Sequence, residues 1–268
     1  HLFVGSEGTL GIITRLTVRL FGQPETTLAA TCGFETVAAA VNSVIMAIQM
    51  GIPMARIELL DEVQMKGMNI FNPDLSLSEK PHLFLEFHGS DASVKEQVEL
   101  FEGVGEEFGA SDFAWATKAE DRARLWAARH NAYYAGKSLR KGCESVVTDC
   151  CVPISELADC IARTKEIIDE AGLIAPLVGH VGDGNFHLLI LFDPNDPEEL
   201  TKAKQLASDV NRVALSFGGT VTGEHGVGTG KKKYMAEEHG AAYALMATLK
   251  RAVDPDNIMN PGKTVDIN

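Results

Sequence analysis

The sequence predicts an α+β fold in which helices lie on a mostly antiparallel sheet. Three observations carry that expectation. Short apolar runs, some alternating with polar residues, recur between longer stretches with helical spacing. Gly, Pro, Asp and Ser punctuate the joins where turns and caps are needed. No run of about 18 or more apolar residues occurs, so no segment reads as membrane-spanning.

Residues 1–20 hold a glycine-punctuated loop and then, from Ile12 to Leu20, a period-two strand pattern. Gly22 and Pro24 break the pattern and place a domain boundary between residues 22 and 23. A strand is expected at 27–34, a helix at 35–50 ended by Gly51, and strands at 55–60 and 82–88. Ser90 or Asp91 can cap a helix running to 108. A helix at 118–134 and a strand at 145–152 follow; Pro153 ends the strand and Ser155 is expected to cap a helix reaching Gly172. Residues 174–192 read as a hairpin: an apolar arm at 174–178, a glycine-rich turn, and a second arm at 186–192. Asp196 and Pro197 take the favoured N-cap and first-turn positions of a helix whose apolar stripe is Leu200, Ala203, Leu206, Val210, Val213 and Phe217. Gly218 and Gly219 stop it, and a last helix is expected at 240–253.

The net charge of −13 argues against nucleic acid as a partner, because phosphates demand a basic face. The five cysteines, at 32, 143, 150, 151 and 160, form no C-x-x-C pair and read as reduced, structural thiols. The chain opens on His1 in what reads as mid-domain sequence, so a C-terminal piece of something longer is expected, and no targeting argument is drawn from it.

Two segments carry the chemistry: Gly-His-Val-Gly-Asp-Gly-Asn-Phe-His at 179–187 and Gly-Glu-His-Gly at 223–226. The hairpin turn lets His180 and His187 converge, and Glu224 can complete an open three-ligand site for Zn²⁺ or a first-row neighbour. Three protein ligands leave positions for water or substrate, which suits catalysis better than a structural role. His225, adjacent to a ligand, is expected to act as a general base near neutrality, with an orienting role as the alternative. Singly, each histidine could equally be a satisfied strand residue; His82, His88, His130 and His239 are read that way. The loop Gly-Ser-Glu-Gly-Thr-Leu-Gly-Ile at 5–12 offers bare backbone to a cofactor but matches neither the Walker nor the Rossmann spacing.

These segments, with Asn260-Pro261-Gly262-Lys263, resemble in order and spacing the C-terminal half of FAD-linked oxidases of the vanillyl-alcohol-oxidase type. Within that family, residues 84–90, 125–132 and 148–155 are similar to the mitochondrial, cytochrome-linked D-lactate dehydrogenases. The resemblance implies that 1–22 is the end of a PCMH-type FAD-binding domain and 23–268 a ferredoxin-like capping domain that binds substrate and metal. It implies that Gly5, Ser6, Gly8, Thr9, Gly11, Ile12 and Asn260 line FAD, and that His180, His187 and Glu224 hold Zn²⁺ or Mn²⁺. It further implies His225 as the base, Arg129 as the clamp on a substrate carboxylate, and Asn185 as a substrate contact. Taken alone, Arg129 would read as a surface residue on a helix with Arg122 and Arg124. Mitochondrial residence and cytochrome c or a similar respiratory acceptor are implied in the same way.

Two departures matter. Relatives acting on 2-hydroxyglutarate carry a lysine where this chain has Val147; an apolar residue there disfavours a second carboxylate and favours a monocarboxylate such as D-lactate. The first half of the FAD domain is missing from the 268 residues, so this piece alone is expected neither to hold FAD tightly nor to turn over. Competing readings are a dehydrogenase of 2-hydroxyglutarate or glycolate, a zinc hydrolase using metal-bound water, and a non-catalytic binding domain.

Overall fold

The computed structural model describes residues 1–75 and 77–267, and these divide into two compact units, 23–219 and 1–22 with 220–268. The divisions fall after residues 22 and 219, and residues 220–268 group with the N-terminal segment.

The larger unit is built on an eight-stranded sheet among the described residues: β1 (Thr26–Gly33), β2 (Met54–Leu60), β3 (His82–Gly89), β4 (Ser111–Ala116), β5 (Glu144–Val147), β6 (Cys150–Cys151), β7 (Leu177–His180) and β8 (Asn185–Phe192). The order is β4-β1-β3-β2-β7-β8-β5, with β6 also on β8, and the described pairings are antiparallel. Period-two alternation sends Leu83, Leu85 and Phe87 to one face of β3 and Phe84 to the other.

The first face packs on α1 (Val37–Gln49), α3 (Asp91–Glu107), α6 (Leu157–Ala171) and α7 (Pro197–Ser216), which form the main core with Phe34, Phe101, Phe186 and Leu206. The second face carries α2 (Glu62–Phe71), α4 (Ala119–His130) and α5 (Ala132–Lys137), through Met65, Met68, Leu125, Trp126 and Ala135. The expected α+β architecture, an antiparallel sheet covered by helices, is what forms. The predicted caps hold at Asp196, whose carboxylate accepts from Glu198 N and Glu199 N, and at Ser90, which accepts from Ser93 N.

Several expectations need correction. The 12–20 segment forms no strand: no ladder is offered to it, and Ile12, Leu16 and Leu20 are 74–86% exposed. The 118–134 helix breaks at Asn131, which leaves α geometry at ψ 10° and joins α4 to α5. The 145–152 strand splits around Thr148 and Asp149, because the Thr148 hydroxyl takes the Leu188 N–H (2.9 Å) in place of a backbone carbonyl. Ser155 caps nothing; a 3₁₀ turn at Ile154–Glu156 precedes α6, and its hydroxyl bonds Glu156. The reading also passed over α2, β4 and a helix at Lys232–His239.

The smaller unit comprises the 1–22 segment, α8 (Lys232–His239) and α9 (Ala241–Val253). Its polar anchor is Lys250, 2% exposed, whose ammonium donates to Thr9 O (2.8 Å), Met259 O (2.6 Å) and the Asp254 carboxylate. Asp254 also accepts from Ile258 N and Met259 N, which hold it below the usual carboxylate range together with Lys250, the main cause. No helix among the described residues is long and apolar enough to cross a membrane.

Candidate functional site

The tight hairpin between β7 and β8 begins with its backbone. Gly184 sits at φ +78°, and a Cβ there would lie 2.1 Å from Val152 O, so both the conformation and the close approach require glycine. The hairpin register pairs His180 with Asn185 and Val178 with His187. Partners across a ladder share a face, as do residues two apart, so His180, Asn185 and His187 project from the same side of the sheet. That side is the one opposite the main core, since Leu177, Phe186 and Leu188 point into the core. The two imidazole centroids lie 5.7 Å apart with planes at 82°.

Both rings are oriented through Nδ1. His187 Nδ1 donates to Thr148 O at 3.1 Å, a carbonyl made available by the interruption between β5 and β6. His180 Nδ1 donates to the Glu58 carboxylate at 2.8 Å. Each ring then carries its lone pair on Nε2, the tautomer a divalent cation needs. Two imidazoles so oriented suit Zn²⁺ and its first-row neighbours, and a carboxylate added to them would also suit the harder Mn²⁺. Asp149, fully buried, lies 3.7 Å from His187 Nδ1 and accepts from Asn185 Nδ2 at 3.4 Å. Asn185 Oδ1 is buried and finds no hydrogen bond among the described residues.

Arg129 belongs to this place and not to the solvated face of α4. Its side chain is 11% exposed, one Nη donates to Glu58 at 2.8 Å, and its Nε is buried without a partner among the described residues. It lines a cavity of about 480 Å³ with Met54, Arg56, Glu58, Trp126 and His180. Arg56 stacks its guanidinium over the Trp126 ring at 4.9 Å and approaches Glu86, which ties it to the wall. His130, read from sequence as an ordinary structural histidine, also borders the cavity.

Glu58 is the residue that sequence reading missed. The register that pairs Leu59 with Gly179 and Leu60 with Val178 brings Glu58 beside His180 across two strands. Burial alone would raise its carboxyl, but the His180 hydrogen bond and the Arg129 charge outweigh burial and hold it below the usual carboxylate range. The available signal was Arg56 and Glu58 two apart on one face of a strand whose other face, at Ile57 and Leu59, is apolar.

In the smaller unit, the 5–11 loop and Asn260 come together: Asn260 Nδ2 donates to Glu7 O at 2.5 Å. Thr9 is buried, whereas Ile12 is 77% exposed. The Glu7 carboxylate accepts from Val227 N and Gly228 N at 2.5 and 2.9 Å and so holds the loop that carries Glu224 and His225. Those two side chains are half-exposed, with His225 Nε2 3.7 Å from a Glu224 oxygen.

Residues 23–264 match the family described as FAD linked oxidases, C-terminal domain. The chain is 50% identical over its whole length to the Danio rerio protein named probable D-lactate dehydrogenase, mitochondrial, of which it covers 54%. It is 42% identical over 99% of its length to a mitochondrial D-lactate dehydrogenase [cytochrome] of Arabidopsis thaliana, of which it covers 47%. The chain thus spans about half the length of these relatives. Among solved structures, 4-ethylphenol oxidase from Gulosibacter chungangensis superposes with a TM-score of 0.69 over 92% of this chain and 55% of that one, at 14% identity, a likeness of fold. The sheet, its helical cover and the match over 23–264 together establish that this chain belongs to the FAD-linked oxidases, through their C-terminal domain.

Proposed function

We propose that this chain is the substrate- and metal-binding part of a flavin-dependent dehydrogenase that oxidises D-lactate to the 2-keto acid. The observation that carries this reading is the joint orientation of His180 and Arg129 at one cavity: an imidazole with its lone pair on Nε2, and a buried guanidinium with an unanswered N–H. Relatives named as D-lactate dehydrogenases support the substrate class.

In this reading Arg129 holds the substrate carboxylate, and its rigid fork selects a planar anion. Asn185 contacts the bound acid from the histidine-bearing hairpin. His225 accepts the 2-hydroxyl proton, an imidazole being suited to that task near neutral pH. Gly5, Ser6, Gly8, Thr9, Gly11, Ile12 and Asn260 border the flavin. His180, His187 and Glu224 hold a divalent ion, Zn²⁺ or Mn²⁺. When bound, the ion supplies Lewis acidity toward the hydroxyl and FAD supplies a two-electron acceptor. Val147 pairs with Leu189 and so shares the sheet face of His187, where an apolar side chain supports a monocarboxylate over a dicarboxylate. Passage of electrons to cytochrome c or a similar respiratory acceptor, and residence in the mitochondrion, follow from the same relatives' names and stand as parts of the proposal.

The test is anaerobic flavin reduction in the full-length protein with D-lactate, L-lactate, D-2-hydroxyglutarate and glycolate, with and without chelator. Bleaching by D-lactate that chelation abolishes is expected. No bleaching by any of the acids overturns the proposal; equal bleaching by D-2-hydroxyglutarate overturns the role given to Val147.

A further inference from the structure

Glu58 is shared by two residues with different proposed tasks. Its Oε1 accepts from His180 Nδ1 and its Oε2 from Arg129 Nη2, both at 2.8 Å. The three side chains come from β2, β7 and α4, elements far apart in sequence. The Glu58 and Arg129 side chains are only 13% and 11% exposed, so water competes weakly for either contact. One carboxylate with an oxygen committed to each partner cannot shift toward one without loosening the other.

We propose that Glu58 is a positioning residue that couples the arginine holding the substrate carboxylate to a histidine holding the divalent ion. The proposal rests on the reading of Arg129 and His180 given above and adds a dependence between them. A carboxylate acceptor fixes the proton of His180 on Nδ1 and so keeps Nε2 a ligand. The same carboxylate fixes the direction of the Arg129 fork while leaving Nε to a further acceptor. A glutamine keeps the volume but breaks the symmetry. It has one acceptor end and one donor end, so it can serve His180 or Arg129 but must present N–H groups to the other. If the donor end meets His180, the imidazole must take its proton on Nε2 and ceases to be a ligand.

The experiment compares wild type, Glu58→Gln, Glu58→Asp and His180→Ala as full-length flavoproteins. Zn²⁺ affinity is read by competition with a chromophoric chelator, D-lactate KM and kcat by steady-state turnover, and folding by Tm. Expected for Glu58→Gln is Zn²⁺ binding weakened by about 10–100-fold, the range for loss of a partner that orients a metal-bound histidine. A rise in D-lactate KM is expected with it, at a Tm near wild type. Glu58→Asp keeps the charge with a shorter reach and should restore part of both losses; it also serves if the glutamine variant does not fold. Unchanged Zn²⁺ affinity and KM in either folded variant overturn the coupling. Zn²⁺ binding that His180→Ala leaves intact overturns instead the ligand assignment on which the coupling rests.

Discussion

A buried imidazole with only one partner makes a fold sensitive to acid, and His82 is such a residue. It is fully buried at the start of β3, its Nδ1 bonded to Lys80 O at 2.8 Å and its Nε2 buried without a partner among the described residues. Burial pushes its pKa below the ordinary value, with the Lys80 carbonyl and Asp112 opposing. The unfolded chain takes up the proton near pH ~6.5 while the folded chain refuses it until lower pH. Stability is therefore full above about pH 6.5 and falls as the pH drops through the lowered folded value. His82→Gln should cost stability at neutral pH yet flatten the decline between about pH 7 and pH 5.5. Melting curves across that range check it, and parallel declines in the two proteins would refute it. The sequence sets His180 and His187 apart from His82 because glycines flank only the former pair. Glu58 escaped notice because an isolated acidic residue in a strand reads as solvent-facing. Its role arises from β2 lying beside β7, a pairing across more than a hundred residues that no local pattern encodes.

Asp61 does for the elements what Glu58 does for the site. As N-cap of α2 it accepts from Gln64 N at 2.8 Å, while the same oxygen accepts from Leu177 N at 3.1 Å at the entrance to β7. Its other oxygen meets Lys165 of α6 at 2.9 Å. Burial alone would lower the Lys165 pKa, but Asp61 and Glu62 outweigh it and raise it above its ordinary value, while burial pushes the Asp61 carboxyl above the usual carboxylate range against the opposing Lys165 charge. One carboxylate therefore closes α2, seats the strand that ends in His180 and anchors α6. Truncation to alanine removes a cap worth about 1 kcal/mol. It also leaves the Leu177 amide without its carboxylate partner, at roughly 1–3 kcal/mol. We expect Asp61→Ala to lower unfolding free energy by about 3 kcal/mol or more by urea titration, with Asp61→Asn losing less. A loss under about 1 kcal/mol would show that the backbone finds other partners. Local pattern revealed the strands and helices with strong caps, such as α7 behind Asp196. It passed over α2, whose start follows a strand with no intervening turn signal.

At the scale of the molecule, the divisions at residues 22 and 219 separate a sheet-centred unit from one of loops and two helices. Residues 23–219 contain all eight strands of the described sheet and the three hydrophobic clusters found among the described residues. Residues 1–22 and 220–268 combine polar anchors, Glu7 on the Val227 and Gly228 amides and Lys250 with Asp254, with buried Val221, Tyr234, Met235 and Val265. A unit with its own apolar core should fold cooperatively by itself. Sequence offered the first division through Gly22 and Pro24 but read Gly218 and Gly219 only as a helix stop, because helix termination and a change of unit leave the same glycine signature. Expressed alone with Trp115→Phe, which leaves Trp126 as the sole tryptophan, residues 23–219 should retain the helical and strand circular dichroism of the sheet unit and lose both in one urea transition that coincides with loss of Trp126 fluorescence. That coincidence is the discriminating point, since Trp126 belongs to the cluster on the cavity side of the sheet while α1, α3, α6 and α7 pack the opposite face. If fluorescence were lost well before the dichroism, the helical cover on the cavity side, with Trp126 and Arg129, would unfold apart from the rest of the sheet unit.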